Sequence, residues 1–193
     1  NLRYLLGMNS IYRGDLPRAR LELDRALELA RQDVHNDPTQ PRRQAMLARI
    51  SFERVRVGDP ADPETAAALA EGQGALSALP ADVWSESERL ALQTRACLAQ
   101  LTFAGSAPGI TDCREEVLPA LLEMAADDAE MAEPAAELAT ALVRNQPGCL
   151  SDAQMLDIVK RLSNLPDPLR LSLSYLLVLR ALWEQVDNGS SEI

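Results

Sequence analysis

The sequence predicts an all-α protein with about nine helices, and three observations favour this class. Ala and Leu are abundant, whereas aromatic residues make up 4% of the chain, a balance typical of helices that pack through small side chains. Breakers that contain glycine or proline recur between segments with helical apolar spacing. No segment alternates apolar and polar residues with the period of two that a half-buried strand requires.

Four helices are predicted in the first part of the chain, each bounded by a breaker. Gly14 gives the backbone freedom to leave the first helix, and Asp15 can cap the second. Turns at 37–38 and 58–60 end the second and third helices. An acid and a proline at 62–63 suit the start of the fourth. The predicted helices cover residues 1–13, 15–33, 40–57 and 63–78.

Five more helices are predicted after residue 80. The Ser-Glu-Ser-Glu run at 85–88 and Ser151-Asp152 supply capping oxygens and first-turn acids. Breakers at 106–109, 147–148 and 165–166 separate the segments, and a polar tail at the end is expected to be flexible. The helices cover 85–103, 111–126, 128–145, 151–163 and 167–186, and the tail covers 188–193.

The chain also contains an internal repeat. The segment 6–15 aligns with the segment 50–59 at an offset of 44, and both end in a Gly-Asp pair. Fainter copies follow, and the spacing between successive copies runs from 41 to 47 residues. Helical hairpins that cannot bury an apolar face alone can do so by stacking. The fainter copies lie near Cys97 with Gly105, Leu142 with Gly148 and Trp183 with Gly189.

The first copy carries the most specific pattern: a Leu-Gly pair at 6–7, a Gly-Asp pair at 14–15, and then Ala19, Leu23 and Ala26. Small residues there allow two helices to approach closely, and the leucines fill the space between them. The pattern resembles the tetratricopeptide repeat (TPR) family, whose fingerprint combines these features. The resemblance covers about 30 residues, and the repeat spacing departs from the 34 residues of a standard TPR.

The resemblance and the repeat together predict one TPR-like domain over residues 1–187, with the clearest repeats in 1–78. The expected architecture is a solenoid of four helical hairpins and a final helix. The alternative is a helical bundle in which only residues 1–78 keep the repeat geometry.

The resemblance also implies a binding surface, because in the TPR family the first helices of successive hairpins line a concave groove. Such an apolar groove would suit an amphipathic helix or an extended hydrophobic peptide. The alternative is that these side chains belong to the core. Carried onto this sequence, the groove positions are Tyr4, Met8, Ile11 and Tyr12 in the first copy and Ala48, Phe52, Val55 and Arg56 in the second.

A stripe of arginines is a second candidate for partner binding. Arg42, Arg49 and Arg56 are seven residues apart, so they lie close to one line along the third helix. A basic stripe on an acidic protein would suit an acidic partner. The alternative is a solvated face whose charges pair with neighbouring acids.

The cysteines allow two interpretations. Cys113 opens one predicted helix and Cys149 follows the end of the next, so an antiparallel hairpin would bring both to the same end, where they could form a disulfide bond. The alternative is two unrelated reduced thiols.

Several classes of function are disfavoured by the sequence. The net charge of −10 and the pI near 4.6 argue against nucleic acid as a partner. No apolar run is long enough to span a membrane. His35 is the single histidine. No nucleophile–base set, cofactor motif or cluster of metal ligands is evident in the sequence. The acids at 127–133 are better explained as residues at the start of a helix, where the helix dipole favours them. We therefore expect no enzyme activity, no cofactor and no metal.

The expected function is a non-catalytic scaffold or adaptor module for protein–protein interaction. The alternative is a ligand-sensing regulatory domain that controls an attached enzyme or DNA-binding domain. Lys160 is the one lysine among many arginines, which favours a bacterial source, and the helical pattern already present at Asn1 favours a piece of a larger protein. Cytoplasm and periplasm both stay open. The apolar helix around Trp183 is expected to be buried and to favour self-association.

Overall fold

The computed structural model describes residues 2–80, 84–104, 110–146 and 148–163. These ranges contain eight helices and no strand, which confirms the predicted all-α class and the first eight predicted helices to within a few residues at their ends. The predicted helix over 167–186, with Trp183, and the tail over 188–193 lie outside the described residues. The helices are α1 (Leu2–Tyr12), α2 (Leu16–Asn36), α3 (Pro41–Arg56), α4 (Pro63–Ser77), α5 (Glu86–Ala104), α6 (Ile110–Asp112, Cys113–Val117 and Leu118–Asp127 in succession), α7 (Ala132–Asn145) and α8 (Asp152–Ser163).

The chain forms two compact units, with the division after Ala104. In the first unit α1 packs on α2, α2 packs on α3, and α3 packs on both α4 and α5. In the second unit α6 packs on α7 and on α8, and α7 also contacts α8. None of the described helices combines the length and the apolar character needed to cross a membrane.

The α1–α2 hairpin has the close packing that its small residues predict. A Cβ atom added to Gly7 would lie 2.8 Å from Leu23 Cγ, so only glycine lets α2 approach this closely. Ala19, Leu23 and Ala26 on the facing side of α2 are fully buried. Between the helices, Gly14 has a φ of 73°, in the left-handed region that favours glycine.

The α3–α4 hairpin is also built on a large side chain against a glycine. Phe52 is fully buried, and a Cβ atom on Gly72 would lie 2.7 Å from Phe52 Cε1. The side chain of Asp62 caps α4 by accepting the Glu64 N–H at 3.0 Å. It also forms an ion pair with Arg20 of α2, so the cap of α4 is joined to the preceding hairpin.

The second unit has a leucine and alanine core around α6 and α7. Leu121, Leu138 and Leu142 are fully buried in it. The Cys113–Val117 part of α6 is π-helical, directly before Pro119. Proline has no N–H to donate, and its ring crowds the carbonyl four residues earlier, so the wider π turn accommodates it at this point.

Candidate cavity lined by arginines

The first unit contains a cavity of about 560 Å³ between α3, the C-terminal end of α4, and α5. Its lining combines apolar side chains with four arginines, two from α3 and two from the start and middle of α5. This combination of apolar surface with a few charged groups is typical of ligand-binding sites. The lining residues are Arg42, Ala45, Met46, Arg49, Leu76, Leu79, Pro80, Trp84, Glu88, Arg89, Ala91, Leu92, Gln93 and Arg95.

Glu88 is the single acid among these lining residues, and its carboxylate is already occupied at the start of α5. Glu88 Oε2 accepts hydrogen bonds from the Ser85 hydroxyl at 2.8 Å and from the Ser85 N–H at 3.1 Å, while Ser85 Oγ accepts the Glu88 N–H. This is a reciprocal capping box. The pKa of Glu88 is lowered first by the Ser85 hydroxyl, next by the Ser85 N–H, and also by the charge of Arg42. The described lining therefore carries four arginines against one carboxylate, in a protein with a net charge of −10.

Two of the four arginines are held by buried groups of the protein. Arg95 Nε donates to Glu53 Oε1 at 3.1 Å, and Glu53 also pairs with Arg56 at 2.9 Å. Arg49 lies over the Tyr4 ring, with its Cζ 5.7 Å from the ring centroid, within the range of a cation–π contact. Glu53 is 1% exposed, so these contacts satisfy a carboxylate that would otherwise be buried without a partner.

Tyr4 connects α1 to this charged group. Burial raises the pKa of its phenol, and the nearby charge of Glu53 raises it further, while Arg49 and Arg95 act in the opposite direction. Arg95 also hydrogen-bonds to the Tyr4 side chain. Arg49 and Arg95 are consequently fixed by contacts with Tyr4 and Glu53.

The other two arginines are open. Arg42 and Arg89 are both exposed, and within the part of the chain that the structure describes neither guanidinium group forms a hydrogen bond or an ion pair. Arg42 comes near enough to Glu88 to lower the pKa of that carboxyl without forming a salt bridge to it. These two guanidinium groups, one from each wall, are available to a ligand.

Trp84 contributes an unsatisfied donor. It precedes α5 and lines the cavity, and its indole N–H is buried without an acceptor among the described residues. Buried polar groups are usually hydrogen-bonded, so a donor of this kind on a cavity-lining residue needs an explanation.

Three of the residues predicted to line the groove are buried in the core. Ala48 and Phe52 are fully buried and Val55 is 1% exposed, so these three side chains belong to the core and cannot touch a partner. The physical reason is that α3 is packed on by α2, α4 and α5, which leaves little of its surface open. The prediction that they line a groove is wrong, and the alternative that they are core residues describes them correctly.

The remaining predicted positions also do not form one surface. Tyr4 is buried, whereas Tyr12 is 81% exposed. Met8 and Ile11 are partly buried against the core, and Arg56 is paired with Glu53. Of all predicted partner-binding residues, the cavity brings together Arg42 and Arg49.

The α5 side of the cavity was missed by sequence reasoning. Glu88, Leu92 and Arg95 are spaced four and three residues apart, so they share one face of α5, and Trp84 lies four residues before Glu88. That spacing was available in the sequence, but the face could be paired with α3 only once the tertiary structure was known.

Neither interpretation of Cys113 and Cys149 is correct, because they are not bridged to each other and they are not both reduced thiols. Cys149 carries a free thiol, whereas Cys97 and Cys113 are both disulfide-bonded. The Cys149 thiol donates to the Leu142 carbonyl oxygen at 3.6 Å, so it turns toward the end of the preceding helix, α7. The premise that the two helix ends are neighbours is nevertheless correct, because Arg114 Nη1 donates to the Cys149 carbonyl at 3.5 Å.

The residues that the sequence analysis weighed as metal ligands can be placed in the structure. No group of three or more metal-ligating side chains is found there. Asp128 accepts the Glu130 N–H at 3.0 Å, so this acid stabilises the local turn. His35 is exposed near the end of α2.

Comparison with protein-family models, with curated proteins and with solved structures gives no match. The likeness to the TPR family therefore rests on the residues of the first hairpin and of its partial copy.

Proposed function

We propose that this chain is a non-catalytic protein–protein interaction module of a larger bacterial protein, with a TPR-like stack of helical hairpins. Its binding site is the cavity between α3, α4 and α5, and its ligand is a peptide segment of the partner. The observation that carries the proposal is the cavity of about 560 Å³ itself, whose lining combines apolar side chains with two arginines that form no ion pair with the described residues.

The order of helix packing in the first unit supports the stacked arrangement. Each helix from α1 to α4 packs on the next one, and α3, the first helix of the second hairpin, also packs on α5. Both hairpins place a large buried side chain against a glycine, Leu23 against Gly7 and Phe52 against Gly72. A repeated unit of this kind buries each face against the next unit.

The lining chemistry supports a peptide as the ligand. Met46, Leu76 and Trp84 provide apolar surface for a side chain, and the arginines provide donors that orient the segment. This site replaces the groove expected from the resemblance, because part of that groove is core. Helical repeats commonly present such surfaces to partner proteins.

The ligand-sensing regulatory domain stays as the second candidate, because the cavity volume lies within the range of small-molecule sites. A small ligand would be enclosed by these walls, whereas a peptide would extend beyond them. In this case ligand binding would control an attached enzyme or DNA-binding domain.

The test uses the full chain and a blocked cavity. Random peptides of about twelve residues, long enough for the known modes of peptide recognition, are selected for binding to the immobilised protein. Ala91→Trp fills the cavity from α5, and Ala67→Trp adds the same side chain at an exposed position of α4 outside the cavity. Circular dichroism checks that both variants remain helical.

We expect selected peptides to bind Ala91→Trp at least about tenfold more weakly than the unaltered protein and to bind Ala67→Trp equally well. Peptides that bind both variants alike would contradict the proposed site. Thermal stabilisation by a small-molecule library, lost only in Ala91→Trp and without any selected peptide, would favour the regulatory domain instead.

A further inference from the structure

The cavity has an uneven distribution of charge that bears on the kind of peptide it accepts. Among the described residues, four arginines and one glutamate line it, whereas acids exceed bases in the chain as a whole, with 29 Asp and Glu against 19 Lys and Arg. The one lining acid is held by Ser85. A positive site on a negative protein favours a negatively charged ligand and disfavours competing cations.

Two of the four arginines are held by other protein groups, and the other two are free to bind a ligand. Arg95 is tied to Glu53 at 3.1 Å and Arg49 is stacked on Tyr4. Arg42 of α3 and Arg89 of α5 have neither kind of contact within the described residues and are exposed. Because they lie on two different helices that line the same cavity, a carboxylate between α3 and α5 would gain two cationic donors without breaking an ion pair of the described residues.

The apolar part of the lining suits a ligand that carries an apolar group as well as a negative charge. Met46 and Leu76 offer a surface for an apolar side chain, and Trp84 adds an aromatic face. A free inorganic anion would leave this apolar surface uncovered. A peptide supplies a carboxylate, an apolar side chain and backbone carbonyl oxygens that can accept hydrogen bonds.

We propose that the cavity selects an internal acidic segment of a partner protein, in which an Asp or Glu side chain binds Arg42 and Arg89 and an adjacent apolar side chain packs against Met46, Leu76 and Trp84. This inference rests on the proposed function, because it takes the cavity to be a peptide site. It specifies the chemistry of the peptide.

The experiment uses the selected peptides and single substitutions in the full chain. Arg42→Gln and Arg89→Gln each remove one cation while keeping polarity and approximate size. Neither arginine supports the fold through an ion pair, so both variants should fold. Arg13→Gln is the matched control, because Arg13 is an exposed arginine outside the cavity.

We expect the selected peptides to be enriched in Asp and Glu next to apolar residues. Each cavity substitution should weaken binding about tenfold, as loss of a hydrogen bond to a charged group does. Arg13→Gln should leave the affinity unchanged. Higher salt should weaken binding to the unaltered protein and should have a smaller effect on the double variant. Peptides with an amidated C-terminus should bind as well as free ones, because the carboxylate is a side chain.

The two proposals fail in different ways. Uncharged peptides that lose affinity with Ala91→Trp but not with the two Arg→Gln substitutions would keep the cavity as a peptide site and overturn the acidic specificity. Binding that requires a free C-terminus would likewise overturn it, because the recognised group would then be the chain end. Selected peptides that bind Ala91→Trp with the same affinity as the unaltered protein would overturn both proposals.

Discussion

The α1–α2 and α3–α4 hairpins are related by an offset of 44 residues, and each has a Gly-Asp pair after its first helix. In the first, Gly14 has a φ of 73° and an added Cβ atom would meet nothing within 4 Å. In the second, Gly58 has no positive φ, but an added Cβ atom would lie 2.4 Å from Thr65 Oγ1 and 2.9 Å from Arg54 Nη1. The same residue is therefore required for backbone conformation in one hairpin and for space in the other.

The aspartates differ in the same way. Asp15 directly caps α2 by accepting the Arg18 N–H at 3.2 Å. Asp59 instead closes a turn by accepting the Ala61 N–H at 2.9 Å, and the capping of α4 passes to Asp62. A repeated sequence motif can thus be kept while its physical role changes, because the longer connection in the second hairpin moves the start of the helix.

The residues at one matched position of α1 and α3 also differ in charge. Arg54 of α3 is 1% exposed, with an ion pair to Asp24 and an Nη1 that lacks a partner among the described residues. The corresponding position of α1, Ser10, carries no charge, and its hydroxyl donates to the Leu6 carbonyl at 3.0 Å. The second hairpin is more enclosed, since α3 has packed helices on more sides than α1 does.

The largest expected effect is at Phe52. Phe52→Ala removes a fully buried ring and should lower the free energy of unfolding by about 3–5 kcal/mol, measured by urea denaturation. Tyr12→Ala is the control, because Tyr12 is 81% exposed, and it should change stability by less than about 0.5 kcal/mol. Normal stability of Phe52→Ala would contradict the assignment of Phe52 to the core.

Gly58→Ala should be next in size. The added methyl group overlaps Thr65 and the Arg54 guanidinium, and overpacking of this kind costs about 1–3 kcal/mol. Thr65→Ala removes both overlapping Thr65 atoms, Oγ1 and Cγ2, so the double variant should be less destabilised than the two single effects predict. Simple additivity in this double-mutant cycle would contradict the steric explanation.

Gly14→Ala should cost less, about 1–2 kcal/mol, because the penalty is that of an L-residue in the left-handed region. Gly14→Asn should recover part of the loss, since Asn tolerates this conformation. No neighbouring substitution should rescue Gly14→Ala, in contrast to Gly58→Ala. Rescue by a change in a nearby side chain would show that space also matters in the first hairpin.

The smallest effect concerns Tyr4, which joins α1 to Glu53 of α3. Burial and then the charge of Glu53 raise the pKa of Tyr4 above its ordinary value of 10.0. The folded state therefore holds the phenolic proton more tightly than the unfolded state does. This contribution to stability is fully present below pH 10 and is lost as the pH rises through the higher folded value.

We expect the free energy of unfolding to fall less steeply above pH 10 in Tyr4→Phe than in the unaltered protein, as urea denaturation at several pH values would measure. Tyr12→Phe provides a matched substitution at an exposed tyrosine, and its pH dependence should follow that of the unaltered protein. If the free energy of unfolding depended on pH identically in Tyr4→Phe and in the unaltered protein, the proposed contribution of Tyr4 to the pH dependence of stability would be wrong.

Local features of the sequence determined the helices and their ends. Gly14, Asp15 and Asp62 act on the backbone within a few residues, so their effects follow from residue type and position alone. The contact between Gly7 and Leu23 was also predictable, because the resemblance places a small residue where two helices approach. These inferences needed no knowledge of more distant parts of the chain.

The tertiary structure decided which faces are buried and where the site lies. The apolar residues of α3 suit a groove and a core equally well, and only the packing of α2, α4 and α5 around α3 makes Phe52 a core residue. The cavity joins Arg42 to Arg89 across 47 positions of the sequence, and no local pattern specifies that pairing. The cysteines are a second example of what the sequence alone does not specify. The connection between the helices predicts that the ends carrying Cys113 and Cys149 are neighbours. The directions of the side chains, which only the tertiary structure gives, decide which sulfur atoms can bond.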